Sequence, residues 1–213
     1  MILTETQAAI QDAVRAFAQE RIRPRSQAFE DAKGYPDGLF EEVAGLGLMG
    51  MVAPESVGGA GADHVSYALS LIEIAAADGA LSTIISIQNS LIVGGLLKEG
   101  SEEQKARFLP DLISGRMIGA FALTEADAGS DAAAIRTRAI KVDGGWKLNG
   151  AKQFITSGQI GGLAMVFAVT DPDAGKKGIT GFLVPTDTPG YSVDKVEHKL
   201  GQAAPYSRAS ATN

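Results

Sequence analysis

The feature that most constrains this chain is a change of period near residue 115. Before it, apolar residues recur at helical spacing; after it, they come in short runs separated by Gly and Pro turns. A run of helices followed by a run of strands belongs to an α+β arrangement of two domains, with the boundary expected at 115–118. In the first half, Thr4 and Gln7 form a capping-box pattern ahead of Ile10, Val14, Phe17 and Ile22, and Pro24 is expected to bend or end that helix. A short helix follows over 39–46, and Asp63 starts another with Leu69, Ile72 and Ala76 facing inward. The stretch from Leu81 to Leu97 is apolar on nearly every face and needs cover all round, so Ile84, Ile87, Leu91 and Leu96 are expected to be exposed wherever that cover is lacking; Gln88 and Asn89 on it read as core. Ser101 and Gln104 cap one more helix through Phe108, stopped at Gly115.

From Met117 the pattern predicts strands at 118–123, 136–142, 146–148, 152–156, 163–169, 179–184 and 191–196, with turns at Asp143-Gly144 and Asn149-Gly150. The expected fold is α+β: an all-α helical domain over 1–117, an antiparallel β-barrel or sandwich over 118–202, and a tail, 203–213, whose small residues and Pro carry no apolar period.

Composition narrows the function. With 213 residues, 45% hydrophobic and 21% charged, the chain can bury a core, and a net charge of -6 argues against nucleic acid, which is gripped through dense Lys and Arg contacts to phosphate. There is no cysteine, which excludes disulfides and thiolate metal sites. His64 and His198 lie far apart without a partner pattern, so no metal is expected. The longest apolar run, Leu163 to Val169, is short of a membrane span, and a soluble, cytoplasmic protein is expected. The Gly58-Gly59-Ala60-Gly61 run lacks the Lys-Ser/Thr sequel of a nucleotide loop and reads as a surface turn.

The residues that carry chemistry are concentrated in two places. Phe121-Ala-Leu-Thr-Glu-Ala-Asp-Ala-Gly-Ser-Asp131 is a short apolar strand running into a loop of small residues whose backbone N–H groups and hydroxyls suit polar ring edges and phosphates. Trp146-Lys-Leu-Asn-Gly-Ala-Lys-Gln-Phe-Ile-Thr-Ser157 is a strand with an aromatic face and a hydroxyl. Taken singly, Thr124, Ser130 and Gly129 read as turn residues and Phe154 as core. Glu125, Asp127 and Asp131 look like paired carboxylates, but strand-end solvation and loop capping are the expected roles.

Together, in order and at matching spacing, the two segments resemble those of the acyl-CoA dehydrogenase family, whose hallmarks are a Thr-Glu-x-x-x-Gly-Ser-Asp loop and an Asn-Gly-x-Lys-x-(aromatic)-Ile-Thr strand. The likeness extends over residues 2–202, including Ala53 to Asp63 and Gly181 to Tyr191. It implies an FAD flavoprotein that oxidises the α,β-bond of an acyl-CoA. A non-catalytic acyl-CoA or partner-binding module and an acyl-CoA oxidase-like flavoenzyme are the alternatives. By position, Phe121, Leu123, Thr124, Phe154, Ile155 and Thr156 would line the flavin, with Thr124 at the pyrimidine edge and Thr156 near N5 and O4. Gly129 and Ser130 would meet the pyrophosphate, and Ser130 would also touch the pantetheine arm of the substrate. Phe154 stands where the family often has Trp, and Ala126 where many relatives have Pro. Electron-transfer flavoprotein as acceptor and a homotetramer are further implications. The resemblance also implies that the carboxy-terminal helical domain, which holds the family's catalytic glutamate, is absent. On that reading no residue here inherits the base, the chain is truncated and inactive alone, and residues 203–213 are an aberrant or disordered end.

Overall fold

The computed structural model describes residues 2–202 with side chains and the backbone of 206–212. Among these residues the chain divides into two compact units, one formed by 2–117 with 199–202 and the other by 118–198 with 206–212.

The helical unit begins with α1 (Glu5–Phe17), opened by the reciprocal Thr4–Gln7 capping box. Pro24 does not end the helical path. It sits at the start of a 3-10 turn, Arg23–Arg25, where its missing N–H costs nothing, and the chain continues into α2 (Ser26–Ala32), which stops at Lys33 in a left-handed conformation. After α3 (Leu39–Ala44), α4 (His64–Ala77) is capped by Asp63, whose carboxylate accepts from the N–H groups of Val65 and Ser66. The face that α4 buries differs from the expected one. Ser66, Ser70, Glu73 and Ile74 are buried, whereas Ile72 is 59% exposed. Polar groups can turn inward here because they are paired: Glu73 takes hydrogen bonds from Gln11 and Arg15 of α1, and Ser70 donates to the Ser66 carbonyl.

The next helix runs from Gly79 to Glu99, as α5 (Gly79–Ile87), a π-helical segment Gln88–Val93 and α6 (Gly94–Glu99). By length and composition this 21-residue helix could cross a membrane, which the apolar run at 163–169 could not, and half of its most apolar window is buried. Ile84 and Leu96, expected at risk of exposure, are buried; Leu91 is exposed. Gln88 and Asn89 are fully buried, and their amides satisfy backbone groups of neighbouring segments: Gln88 donates to the Leu112 and Met117 carbonyls, and Asn89 bridges the Leu48 carbonyl and the Met51 N–H. The last helix, α7 (Glu102–Ile113), is opened by a Ser101–Gln104 capping box.

The β unit departs from the expected antiparallel barrel. It is an open, mixed sheet in the order β1-β4-β2-β3-β7-β6, with β5 on β4. The strands are β1 (Gly119–Ala122), β2 (Arg138–Val142), β3 (Gly145–Thr156), β4 (Leu163–Val169), β5 (Ile179–Pro185), β6 (Tyr191–Val196) and β7 (Tyr206–Thr212). β1 pairs with β4 in parallel, Gly119 opposite Leu163, and β2 meets β4 in parallel at Arg138 and Val169; the other pairings are antiparallel. Asn149-Gly150 is not a turn, because β3 runs through it. Gly150 is glycine for a packing reason: a Cβ there would collide with the Thr137 side chain. The expectation of an unstructured tail is corrected for 206–212, whose backbone pairs with β3 and β6; residues 203–205 and 213 lie outside the described residues. The core of this unit consists of Ala120, Ala122, Ile155, Ala164 and Val166, with a second cluster of Ala128, Ile135 and Val169.

Candidate functional site

The two motif segments meet at the end of β1. Beyond Ala122, the chain passes through Leu123 and Thr124 into a tight turn in which Glu125 and Ala128 exchange backbone hydrogen bonds of 3.0 and 3.2 Å. Opposite it, β3 breaks register with β7 between Lys152 and Ile155. Within that bulge Phe154 has φ +58°, a left-handed conformation costly for an aromatic residue, and Ser157 at the strand end has φ +63°. The bulge frees the Gln153 N–H to donate to the Thr124 carbonyl at 2.8 Å. It also turns the Phe154 ring outward, where it is 57% exposed.

Beneath this junction lies a buried ion pair. Lys152 Nζ donates to Glu125 Oε1 at 2.7 Å and to the Leu123 carbonyl at 3.1 Å, with side chains 5% and 8% exposed for Lys152 and Glu125. Glu125 accepts three more bonds, from the Arg136 N–H, the Thr137 N–H and the Thr137 hydroxyl. Burial pushes the Glu125 carboxyl up, but the bonds from Lys152, Thr137 and Arg136 together outweigh it and hold the group down at about 2. The other loop carboxylates are engaged more locally. Asp127 pairs with Arg136 at 2.9 Å, and Asp131 caps the short 3-10 turn Ala132–Ala134.

Each sequence-predicted residue can now be placed. Phe121 is half-buried on β1 with its ring against Phe167, centroids 5.0 Å apart, and Leu123 packs on the cluster of Ala128, Ile135 and Val169. The Ile155 side chain lies in the core, so any contact it offers a ligand is through its backbone. Thr124 is half-buried, Gly129 and Ser130 are exposed at the outer part of the loop, and Thr156 is buried. The hydroxyls of Thr124, Ser130 and Thr156 make no hydrogen bond to a described residue, and Ser157 Oγ is buried without a partner. Gly129 has an ordinary φ and nothing within 4 Å of where a Cβ would stand, so the fold itself does not require a glycine there. Among the described residues no three His, Cys, Asp or Glu side chains form a metal-binding group.

Sequence reasoning missed Lys152 and Thr137, and gave Glu125 a role in strand-end solvation or loop capping, whereas its side chain is buried in an ion pair. One signal was present: Leu148, Gly150 and Lys152 share one face of β3, so a period-2 count places the lysine in register with inward residues.

Comparison with known proteins adds a name to this geometry. Residues 4–116 match the acyl-CoA dehydrogenase N-terminal domain and residues 120–211 the middle domain of that family. An acyl-CoA dehydrogenase of Bacillus subtilis (strain 168) is 44% identical over 201 residues, 94% of this chain and 53% of that protein. The human mitochondrial short-chain specific acyl-CoA dehydrogenase is 40% identical over 199 residues, 93% of this chain and 48% of that one. The crystal structure of a glutaryl-CoA dehydrogenase from Mycobacterium smegmatis in complex with FADH2 superposes with a TM-score of 0.92 at 39% identity, covering 99% of this chain and 53% of the other. The chain thus spans about half the length of these relatives.

Proposed function

Since this chain belongs to the acyl-CoA dehydrogenase family, we propose that the wall formed by the β1 loop and the β3 bulge is the flavin-facing side of an FAD-dependent acyl-CoA dehydrogenase. One observation carries the reading: the Gln153 N–H bond to the Thr124 carbonyl, beside the Lys152–Glu125 pair, joins the two motif segments into a single surface. That surface fits a flavin. It presents an aromatic ring held outward by strained backbone, hydroxyls that bond no described residue, and at Gly129 a glycine that no described neighbour demands.

In this reading Phe154 covers the ring system, and the Thr124 and Thr156 hydroxyls bond its polar edge. Leu123 and the Ile155 backbone complete the wall, with Phe121 behind. Gly129 lets the loop backbone come close to the pyrophosphate, and Ser130 offers an N–H and a hydroxyl to it and to the pantetheine arm of the substrate. When bound, FAD accepts the hydride removed from the β-carbon of an acyl-CoA. The loop carboxylates supply no base. Glu125 is ionised but fully engaged, and Asp127 and Asp131 are tied to loop backbone and side chain. Removal of the α-proton is therefore assigned to none of them. Acyl-CoA as substrate, electron-transfer flavoprotein as acceptor and a tetrameric assembly are carried over from the family resemblance, with 1–117 as the helical domain and 118–202, joined by β7, as the middle β domain.

The test is titration of the purified chain with FAD, followed by quenching of flavin fluorescence, and then addition of butyryl-CoA to bound flavin. Saturable binding that perturbs the visible spectrum supports the site. Binding of acyl-CoA with no FAD uptake would replace this reading with that of a substrate-binding module.

A further inference from the structure

Resting on the flavin reading above, we infer that Glu125 and Lys152 are the positioning pair of the site, holding the Thr124 and Phe154–Thr156 segments at a fixed spacing while touching no ligand themselves. Lys152 lies two residues before the strained Phe154 and reaches two groups of the β1 loop, the Leu123 carbonyl and the Glu125 carboxylate. Glu125 follows Thr124 directly and reaches a third segment, the backbone of Arg136 and Thr137. The pair therefore fastens both sides of the proposed flavin wall to one buried point, and the segment leading into β2 to the same point.

Sterics support the assignment. The Thr137 hydroxyl can reach Glu125 only because residue 150 is a glycine, since a Cβ there would occupy the space of the Thr137 side chain. A strand interior has given up a side chain to make room for a donor to this carboxylate. The pair also helps to explain how a bulge with an aromatic residue at positive φ persists: the two residues that lead into Phe154 are both fastened to the β1 loop, Lys152 by its side chain and Gln153 by its N–H bond to the Thr124 carbonyl.

Stability and positioning separate in a double variant. Glu125→Gln leaves the Lys152 charge buried without its counter-ion, so it is expected to lower the unfolding midpoint and to weaken FAD binding at least tenfold. Glu125→Leu combined with Lys152→Met removes both charges and, as apolar replacements of buried pairs do, is expected to bring the midpoint back toward wild type. The pins to Leu123 and Arg136–Thr137 remain lost in it. FAD affinity should stay about tenfold down, and the Gln153 amide should exchange with solvent at least tenfold faster than in the wild-type chain. A double variant with a recovered midpoint, wild-type FAD affinity and a protected Gln153 amide would overturn the inference. If the wild-type chain takes up no FAD, the flavin reading fails, and Gln153 exchange alone still decides whether the pair pins the two segments. Should the double variant not fold, Thr137→Val removes a single donor to Glu125. Severalfold faster Gln153 exchange in it supports the role, and unchanged exchange rejects it.

Discussion

Glu73 in the helical unit and Glu125 in the β unit both end in an ion pair of nearly the same length, 2.8 Å to Arg15 and 2.7 Å to Lys152. The environments differ more than the distances. Arg15 is 47% exposed, and the donors to Glu73 are side chains of one neighbouring helix, Gln11 and Arg15. Glu125 and its lysine are both out of solvent, and two of the carboxylate's donors are main-chain N–H groups of another segment. The first pair links side chains of α1 and α4, and its cation remains in water. The second holds main-chain groups of the β1 loop and of the segment before β2, so its loss is felt in geometry as well as in stability.

The largest effect is expected from Glu125→Gln, about 3–5 kcal/mol, because the Lys152 charge is left buried. Trp146, the chain's only tryptophan, stands on β3, so its fluorescence follows the β unit while far-UV circular dichroism is dominated by the helices. Denaturant curves by fluorescence should show the loss; a shift confined to the helical signal would break the contrast. The same residue sets an acid limb. A carboxyl whose folded-state value is lowered to about 2 contributes stability that is complete above its unfolded value, about 4.5, and fades as pH falls from there through about 2. The β unit of Glu125→Gln should lack that part of the acid limb.

Gly150→Ala should come next, at about 1–3 kcal/mol for overpacking, since the new methyl group must displace Thr137 from Glu125. A fluorescence midpoint equal to wild type would show that Thr137 has room to move. Thr156→Val should weaken FAD binding by about 0.5–1.5 kcal/mol, the worth of one hydrogen bond, with the unfolding midpoint nearly unchanged. Equal affinity in a direct titration would remove Thr156 from the proposed wall. The smallest effect belongs to Arg15→Ala, in which a solvated guanidinium is lost and Glu73 keeps its bond from Gln11. If its midpoint moves as far as that of Glu125→Gln, burial is not what separates the two pairs.

What could be read from the sequence follows how local each signal is. The capping boxes at Thr4 and Ser101 involve residues three apart, and the structure contains both. Strand β4 needed only its own apolar run. The parallel pairing of β1 with β4 was not legible, because nothing in Gly119–Ala122 names a partner that comes only after the β2–β3 hairpin. Gly150 looked like a turn because Asn-Gly is a strong turn signal, and only the distant Thr137 explains it. Of the candidate site, the two segments could be recognised from their residues; the Phe154 bulge could not, and the lysine beneath it showed only in its alternate position on β3 with Leu148 and Gly150. Bulges and buried pairs are settled by what lies across the strand.

That parallel pairing also bears on the order of events as the chain folds. β1 has no local hairpin partner and must wait for Leu163 to Val166 before its hydrogen bonds can form, after a loop-closure cost that the β2–β3 hairpin does not meet. During synthesis from the amino terminus, the segment from Phe121 to Ser130 emerges well before the strand that orders it. Pulse-labelling of amides during refolding should therefore find the hairpin amides of Ile140 and Lys147 protected before those of β1, making the proposed flavin wall one of the later surfaces of the β unit to mature.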